Sequence, residues 1–158
     1  MKFEKFLKGV GTHGQILERE NGDKWLVCGG VAMKIPKGVD NLLGSKSDTD
    51  SEPVFSALFG ADTSDDVLTL KESLLFDPEG KAGDIVRVFE TELGDRVGIY
   101  NGDFGLLEKK DVLTYLEVEI PAEYKGDEIV EDEKTVKYIA VLNRALEVQG
   151  FITGTHRI

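Results

Sequence analysis

A short acidic stretch is the first place where residue types and spacing could do chemistry. Asp48, Asp50 and Glu52 alternate with polar residues, which is how a calcium-binding loop begins. Such a loop needs glycine at its sixth position and a glutamate further along, whereas Pro53 occupies that sixth position. The pattern therefore favours a solvated acidic loop, and we predict no metal site here.

Two histidines and one cysteine are the other candidates for metal binding or catalysis. His13 and His156 both follow Gly-Thr and could share a metal if the termini met, but no cysteine lies near either and no zinc-ligand spacing occurs. Cys28 lacks the neighbouring base that activates a catalytic thiol, so we expect a small buried strand residue. No nucleophile elbow, phosphate-binding loop or dinucleotide-binding motif is present. We predict no catalytic residue, no cofactor and no metal, and we expect a protein that is not an enzyme.

Large apolar side chains are better candidates for function, because aromatic anchors supply most of the binding energy at protein interfaces. The first fourteen residues combine four apolar side chains with three lysines and then break at glycines. We predict that residues 1–14 form an N-terminal arm, which packs either on a neighbouring molecule or on the body of its own chain. The interface candidates in the whole chain are Phe3, Phe6, Leu7, Trp25, Phe104, Tyr124 and Phe151.

Net charge excludes one large class of partners. The 158-residue chain has a formal charge of −11. Residues 1–40 contribute +2, from seven Lys/Arg against five Asp/Glu, and residues 41–158 contribute −13, from twelve against twenty-five. Such an acidic body repels nucleic-acid phosphates, so we expect no nucleic acid as a partner. The surplus of acid favours solubility, or an acidic face matched to a basic partner.

Hydropathy and cysteine content bear on location. No run of about 18 apolar residues occurs, so the sequence predicts no membrane span. Residues 1–8 are too short and too charged for a signal peptide. The single cysteine excludes an internal disulfide and fits a reducing compartment.

Turn signals separate short runs of β-branched residues, which favour strands. Residues 21–23, Asn-Gly-Asp, predict a hairpin, and residues 93–95, Leu-Gly-Asp, predict another turn. Asn101-Gly102 predicts a two-residue type I′ turn, because both central residues of that turn need positive φ. We therefore expect a hairpin over residues 96–107.

Two segments are compatible with more than one structure. Residues 64–76 have helical apolar spacing after capping residues, which predicts a helix, and a strand over 66–70 is the alternative. Residues 135–149 fit both an alternating strand pattern and a helix that stops at Gly150. We favour strands with a bend near residues 143–144.

The predicted elements define a fold class and a domain organisation. We expect a mainly β fold with antiparallel sheets, barrel- or sandwich-like, with one or two short helices and an N-terminal arm. Residues 15–158 should form a single β-rich domain. Residues 37–53 are rich in turn formers and predict a long polar loop, and residues 121–134 predict an acidic connection.

Two segments resemble known groups of proteins. Residues 103–112, from Asp-Phe-Gly to Val, resemble the closing part of small SH3-like barrels. Residues 139–142, Ile-Ala-Val-Leu, followed by residues 150–152, Gly-Phe-Ile, resemble the C-terminal strand of capsid decoration proteins of tailed phages. The chain departs from that pattern by inserting residues 143–149 between the two parts. The small acidic body and the glycine-rich first 35 residues are similar to that group as well.

The resemblance to decoration proteins implies a function. It implies a non-enzymatic structural protein of a virus particle, most concretely a decoration protein that binds and stabilises the outer capsid surface. The implied partners are the major capsid protein or another virion protein, together with further copies of the chain in a homo-oligomer such as a trimer. The implied location is the virion, assembled in the host cytoplasm. The alternatives are a cytosolic SH3-like binding module and an enzyme without a visible signature.

Overall fold

Glycine-containing turns divide the chain into short strands. The computed structural model describes residues 1–11, 13–39, 57–59, 66–75 and 85–155. In chain order the elements are α1 (Phe3–Val10), β1 (Gln15–Glu18), β2 (Lys24–Cys28), β3 (Val31–Lys34), β4 (Thr69–Leu75), β5 (Ile85–Glu90), β6 (Arg96–Tyr100), α2 (Asn101–Phe104), β7 (Val112–Ile120), β8 (Glu123–Lys125), β9 (Glu128–Glu131), β10 (Lys134–Leu142) and β11 (Val148–Thr153).

Antiparallel pairing organises these strands into three sheets. The six-stranded sheet has the order β1-β2-β3-β11-β10-β7, the three-stranded sheet has the order β4-β5-β6, and β8 pairs with β9. The prediction of a mainly β fold with antiparallel sheets and short helices is confirmed. Within the described residues the sheets do not close into a barrel.

Two of the predicted turns are confirmed. Gly22 has a φ of 87° between β1 and β2, and Gly94 has a φ of 94° between β5 and β6. Positive φ costs glycine little, because it has no Cβ. Local sequence is therefore sufficient to place both hairpins.

The hairpin predicted over residues 96–107 is wrong. Neither Asn101 nor Gly102 has positive φ, and both lie in α2, after which the chain leaves for β7 in the other sheet. The side chain of Arg87 explains the difference, because its Nε donates to Oδ1 of Asn101 at 3.0 Å. The backbone N–H of Gly105 also donates to the carbonyl of Asn101, at 3.1 Å. The resemblance of residues 103–112 to the closing part of an SH3-like barrel depended on that hairpin, which the structure does not contain.

The helix predicted over residues 64–76 is also wrong in its described part, which is residues 66–75. Thr69–Leu75 forms β4, with Ser73 opposite Arg87 and Leu74 opposite Val86 in the neighbouring strand. Strand pairing with β5 overrides the helical spacing, since propensity is only a weak prior in tertiary context.

The C-terminal strands are confirmed. β10 and β11 are antiparallel and are joined by a turn at residues 143–147. Oδ1 of Asn143 accepts hydrogen bonds from the backbone N–H groups of Ala145 at 2.9 Å and Glu147 at 3.0 Å. An asparagine that satisfies turn amides in this way favours the bend over a continuous helix.

The N-terminal segment packs on its own body. Phe6 and Val10 of α1 are buried in a cluster with residues of both larger sheets, and Phe3 and Leu7 pack partly against it. Gly11 ends the helix with a φ of 56°. Of the two roles that the sequence leaves open for residues 1–14, the described residues show a docked helix.

Buried residues lie on both faces of the six-stranded sheet. One face packs against α1 and the three-stranded sheet, which makes the arrangement sandwich-like. The other face contains Trp25, Tyr138 and Phe151, and Leu58 packs against it. Most of the predicted polar loop, residues 40–53, lies outside the described residues.

Candidate functional site: an exposed acidic hairpin

The pairing of β7 with β10 leads from the core to the surface. The two strands pair without interruption from Val112 opposite Leu142 to Ile120 opposite Lys134. β10 is buried where Leu142 pairs with Val112. At the other end of the pair, the first two residues of β10 and Glu119 of β7 are exposed. The chain therefore leaves the core before it reaches β8 and β9.

A second, smaller hairpin follows directly after β7. Gly126 has a φ of 67° and turns the chain between β8 and β9, where Lys125 lies opposite Glu128 and Tyr124 opposite Ile129. β8 and β9 pair with each other and with no other described strand. We call residues 121–133 the acidic hairpin.

Three large apolar side chains of the acidic hairpin face solvent. Tyr124 is 62% exposed, Ile129 is 55% exposed and Val130 is 58% exposed. An exposed group of apolar residues rimmed by polar ones marks a protein interaction site. Of the three, only Tyr124 is among the interface candidates predicted from the sequence. The Gly126-Asp127 turn between an aromatic residue and two β-branched residues was the signal that could have identified the other two.

The hairpin and its base are strongly acidic. Residues 119–134 contain seven Asp/Glu and two Lys, so their formal charge is −5. Lys134 at the base places its Nζ 3.6 Å from Oε2 of Glu131. Like charges oppose pairing of two such hairpins with each other, whereas a basic surface would attract them. The chemistry of the site is therefore that of a docking element with apolar contacts inside an acidic rim.

Acidic groups also affect Tyr115, which lies in the buried part of β7, opposite Ile139. Burial raises the pKa of Tyr115 far above its ordinary value of 10.0, and a hydrogen bond to Glu117 together with the charges of Glu117 and Asp95 adds to the shift. The Tyr115 hydroxyl donates to Oε2 of Glu117 at 2.7 Å.

The predicted interface residues of the N-terminal helix pack on the body of their own chain. Phe6 is only 6% exposed and belongs to the core, and Phe3 and Leu7 pack partly against the same cluster. An interface anchor must be reachable in the free protein. The structure therefore assigns Phe6 to the core rather than to a surface.

Trp25 and Phe151 are likewise buried, in an aromatic cluster with Phe59. The ring centroids of Trp25 and Phe151 are 5.7 Å apart, and Arg19 lies over the ring of Phe59 at 4.2 Å. The cluster borders a pocket of about 210 Å³. The indole Nε1 of Trp25 is buried and has no hydrogen-bond acceptor among the described residues.

Phe104 lies on the short helix α2, beside the three-stranded sheet. Its ring packs against Phe89 with centroids 6.2 Å apart, and the guanidinium of Arg87 lies 4.9 Å from its centroid. Phe104 is half-buried and is one of the residues packed against the main core. Tyr124 is thus the most exposed of the predicted interface residues.

The candidates for metal chemistry are not brought together in the part of the chain that is described. His13 is exposed, and Cys28 is half-buried at the end of β2. His156 and the acidic stretch from Asp48 to Glu52 lie outside the described residues. Among the described residues no three His, Cys, Asp or Glu side chains form a metal-binding group.

Comparison with known proteins gives no relative. No protein-family model, no curated protein and no solved structure matches the chain. In the described part of the chain, no helix has both the length and the apolar character needed to cross a bilayer.

Proposed function

We propose that this chain is a non-enzymatic structural protein that binds a neighbouring protein in a larger assembly through its acidic hairpin. The observation that supports this most is the exposure of Tyr124, Ile129 and Val130 on one protruding hairpin. Burial of such side chains contributes roughly 1.5–3 kcal/mol each, and a partner surface would supply that burial.

The assembly we propose is a virus particle, with the chain as a decoration protein on the outer face of a phage capsid. The support for this step is the resemblance of residues 139–142 and 150–152 to the C-terminal strand of such proteins. In the structure these residues lie in β10 and β11, which are adjacent inner strands of the six-stranded sheet. The acidic hairpin precedes β10 directly, so the resembling segment and the docking element are connected.

The test is cosedimentation of the purified chain with capsids of the phage or prophage that encodes it. In one variant Tyr124, Ile129 and Val130 are all replaced by threonine, which keeps strand propensity and removes most of the apolar surface. We expect the unchanged chain to sediment with capsids and the variant to remain in the supernatant with an unchanged melting temperature.

A matched control replaces three apolar residues elsewhere. Val67, Leu70 and Leu75, on or beside β4, are each about half exposed, and their replacement by threonine removes a similar area. We expect this control to bind capsids like the unchanged chain. If the unchanged chain does not bind capsids, or both variants bind equally well, the proposed function is wrong.

A further inference from the structure

A group of basic residues lies at the opposite end of β7 from the acidic hairpin. We call residues 1–11, 105–111 and 143–147 the basic pole. Its cations are the Met1 ammonium, Lys2, Lys5, Lys8, Lys109, Lys110 and Arg144, and its anions are Glu4, Glu108, Asp111 and Glu147. Seven positive charges against four negative ones give a charge of about +3 with a protonated α-amino group, in a chain whose formal charge is −11.

Hydrogen bonds and ion pairs hold the segments of the basic pole together. The Met1 ammonium lies 2.9 Å from Asp111, and the backbone N–H of Lys2 donates to the carbonyl of Leu106 at 2.8 Å. The Nζ of Lys5 donates to the carbonyl of Gly105 at 3.2 Å. Met1, Lys110 and Arg144 all line one open pocket of about 580 Å³. The pole is therefore a continuous surface.

Strand register places the basic pole and the acidic hairpin at opposite ends of the six-stranded sheet. Leu113, Val141, Gly150, Met33 and Leu26 form one row across five strands. The helix α1 crosses the strands near this row. The side chain of Met1, just before the helix, contacts Gly150, and Val10, at the end of the helix, packs beside Leu26. Seven residues of β7 separate Leu113 from Ile120, which is roughly 23 Å of strand. The protein is thus charged oppositely at its two ends.

The basic pole also contains an exposed apolar residue in a strained conformation. Leu146 is 67% exposed and has a φ of 61°, and no other non-glycine residue in the described part of the chain has positive φ. A leucine in this region costs roughly 1–2 kcal/mol relative to an ordinary backbone conformation. Strain at an exposed apolar residue is a reason to look for a binding role.

We propose that the acidic hairpin of one copy binds the basic pole of a second copy, so that the chains assemble head to tail. This inference rests on the proposed function in so far as the hairpin is the docking element, and it names the first partner of that element. The hairpin offers a formal charge of −5 and three exposed apolar side chains. The pole offers the opposite charge, exposed Leu146 and a pocket with room for an aromatic ring.

The charge distribution disfavours a symmetric interface between two copies. Two hairpins repel each other and two basic poles repel each other, so only unlike ends attract. A head-to-tail contact of this kind gives a ring if the rotation between copies closes, and an open chain if it does not. Repulsion between the acidic bodies is screened beyond about 10 Å at 0.1 M salt, so the contacting ends dominate.

The experiment is sedimentation velocity of the full chain at about 0.1 M and about 1 M NaCl, where the Debye length falls to about 3 Å. The hairpin-reversed variant contains Glu123→Lys, Asp127→Lys and Glu128→Lys, which change the formal charge of the hairpin from −5 to +1. The pole-reversed variant contains Lys2→Glu and Lys109→Glu, which change the charge of the pole from about +3 to about −1. All five residues are exposed, so each variant should fold normally. A control with Glu18→Lys, Glu20→Lys and Glu92→Lys makes the same net charge change as the hairpin-reversed variant, at exposed positions outside the hairpin and the pole.

We expect the unchanged chain and the control to associate at low salt and to dissociate at high salt. Each reversed variant alone should remain monomeric, because its two ends then have the same sign. An equimolar mixture of the two variants should associate again, since the basic hairpin of one meets the acidic pole of the other. A monomeric unchanged chain, association of either variant alone, or a mixture that stays monomeric would each overturn the inference.

Capsid binding separates this result from the proposed function. If the unchanged chain is monomeric but binds capsids through Tyr124, Ile129 and Val130, the head-to-tail inference fails and the proposed function stands. If the charge exchange restores association but no form binds capsids, the inference stands and the capsid role fails.

Discussion

The N-terminal helix α1 and the acidic hairpin are segments of similar apolar content with opposite surroundings. α1 has four apolar residues in eight, of which Phe6 and Val10 are buried among side chains of two sheets. The acidic hairpin has Tyr124, Ile129 and Val130, and all three face solvent. The sequence predicts an arm for the first segment, docked on a neighbour or on its own body, and an acidic connection with one interface candidate, Tyr124, for the second.

The physical difference lies in what each segment can cover. Apolar residues at helical spacing form one stripe, so α1 can cover a sheet face while its lysines remain in water. A two-stranded hairpin beyond the end of a larger sheet has no such face beside it, and an isolated hairpin is marginally stable by itself. Apolar side chains retained on such a hairpin are therefore better explained by a partner than by folding.

The largest expected effect contrasts a side chain from each segment. We expect Phe6→Ala to lower the free energy of unfolding by about 4 kcal/mol, because a buried aromatic side chain leaves a cavity. Tyr124→Ala should change it by less than about 0.5 kcal/mol, as is usual for exposed positions. Urea denaturation of both variants measures the difference, and equal losses would contradict the contrast.

The next effect concerns the ion pair that fixes the start of α1. Asp111 has a side chain only 3% exposed, and its carboxylate accepts from the Met1 ammonium and from the backbone N–H of Glu108. We expect Asp111→Asn to cost about 3 kcal/mol, because the ammonium keeps its charge without a buried partner. Asp132→Asn, at an exposed position after β9, is the control and should cost nothing measurable in the same denaturation experiment.

Sequence was sufficient where a local signal decided the structure. The glycines of residues 21–23 and 93–95 define turns by their own conformational freedom, and Asn143 stabilises its turn through contacts within five residues. Prediction from the sequence failed where contacts with a residue elsewhere in the chain determine the local structure. Arg87 binds Asn101 and so replaces a turn by a helix, and pairing with β5 makes β4 a strand.

The candidate site was predicted only in part for the same reason. Tyr124 could be named from its residue type, but its exposure depends on where β7 leaves the core. The basic pole joins residues separated by about a hundred positions in the sequence, through contacts such as Met1 with Asp111. No spacing in the chain indicates that contact.

A further prediction concerns Tyr115, a residue of β7 in the main core. Because the folded-state pKa of Tyr115 is raised, its contribution to stability is fully present below the unfolded value of about 10 and is lost as pH rises above it. We expect the free energy of unfolding to fall above about pH 10, and to fall less steeply in Tyr115→Phe. Denaturation at a series of pH values tests this, and identical slopes would contradict a raised pKa of Tyr115 in the folded state.

The smallest expected effect is a change in the free energy of unfolding that has opposite signs when two exposed leucines are replaced by glycine. Leu146→Gly should stabilise the chain by about 0.5 kcal/mol, because relief of positive φ exceeds the entropy that glycine adds to the unfolded state. Leu93→Gly should destabilise it by about 0.5 kcal/mol, since Leu93 has no positive φ to relieve. Differential scanning calorimetry compares the two, and a loss of stability in both would argue against strain at Leu146.

Amide hydrogen exchange of the free and assembled chain tests the central claim most directly, that α1 belongs to the body and the acidic hairpin to an interface. In monomers at about 1 M NaCl we expect slow exchange in α1 and fast exchange in residues 123–131, because β8 and β9 are short and exposed. In assemblies, whether of the chain alone or with capsids, residues 123–131 should become protected while α1 stays unchanged. Protection of residues 123–131 already in the monomer, or no change in them on assembly, would contradict the account.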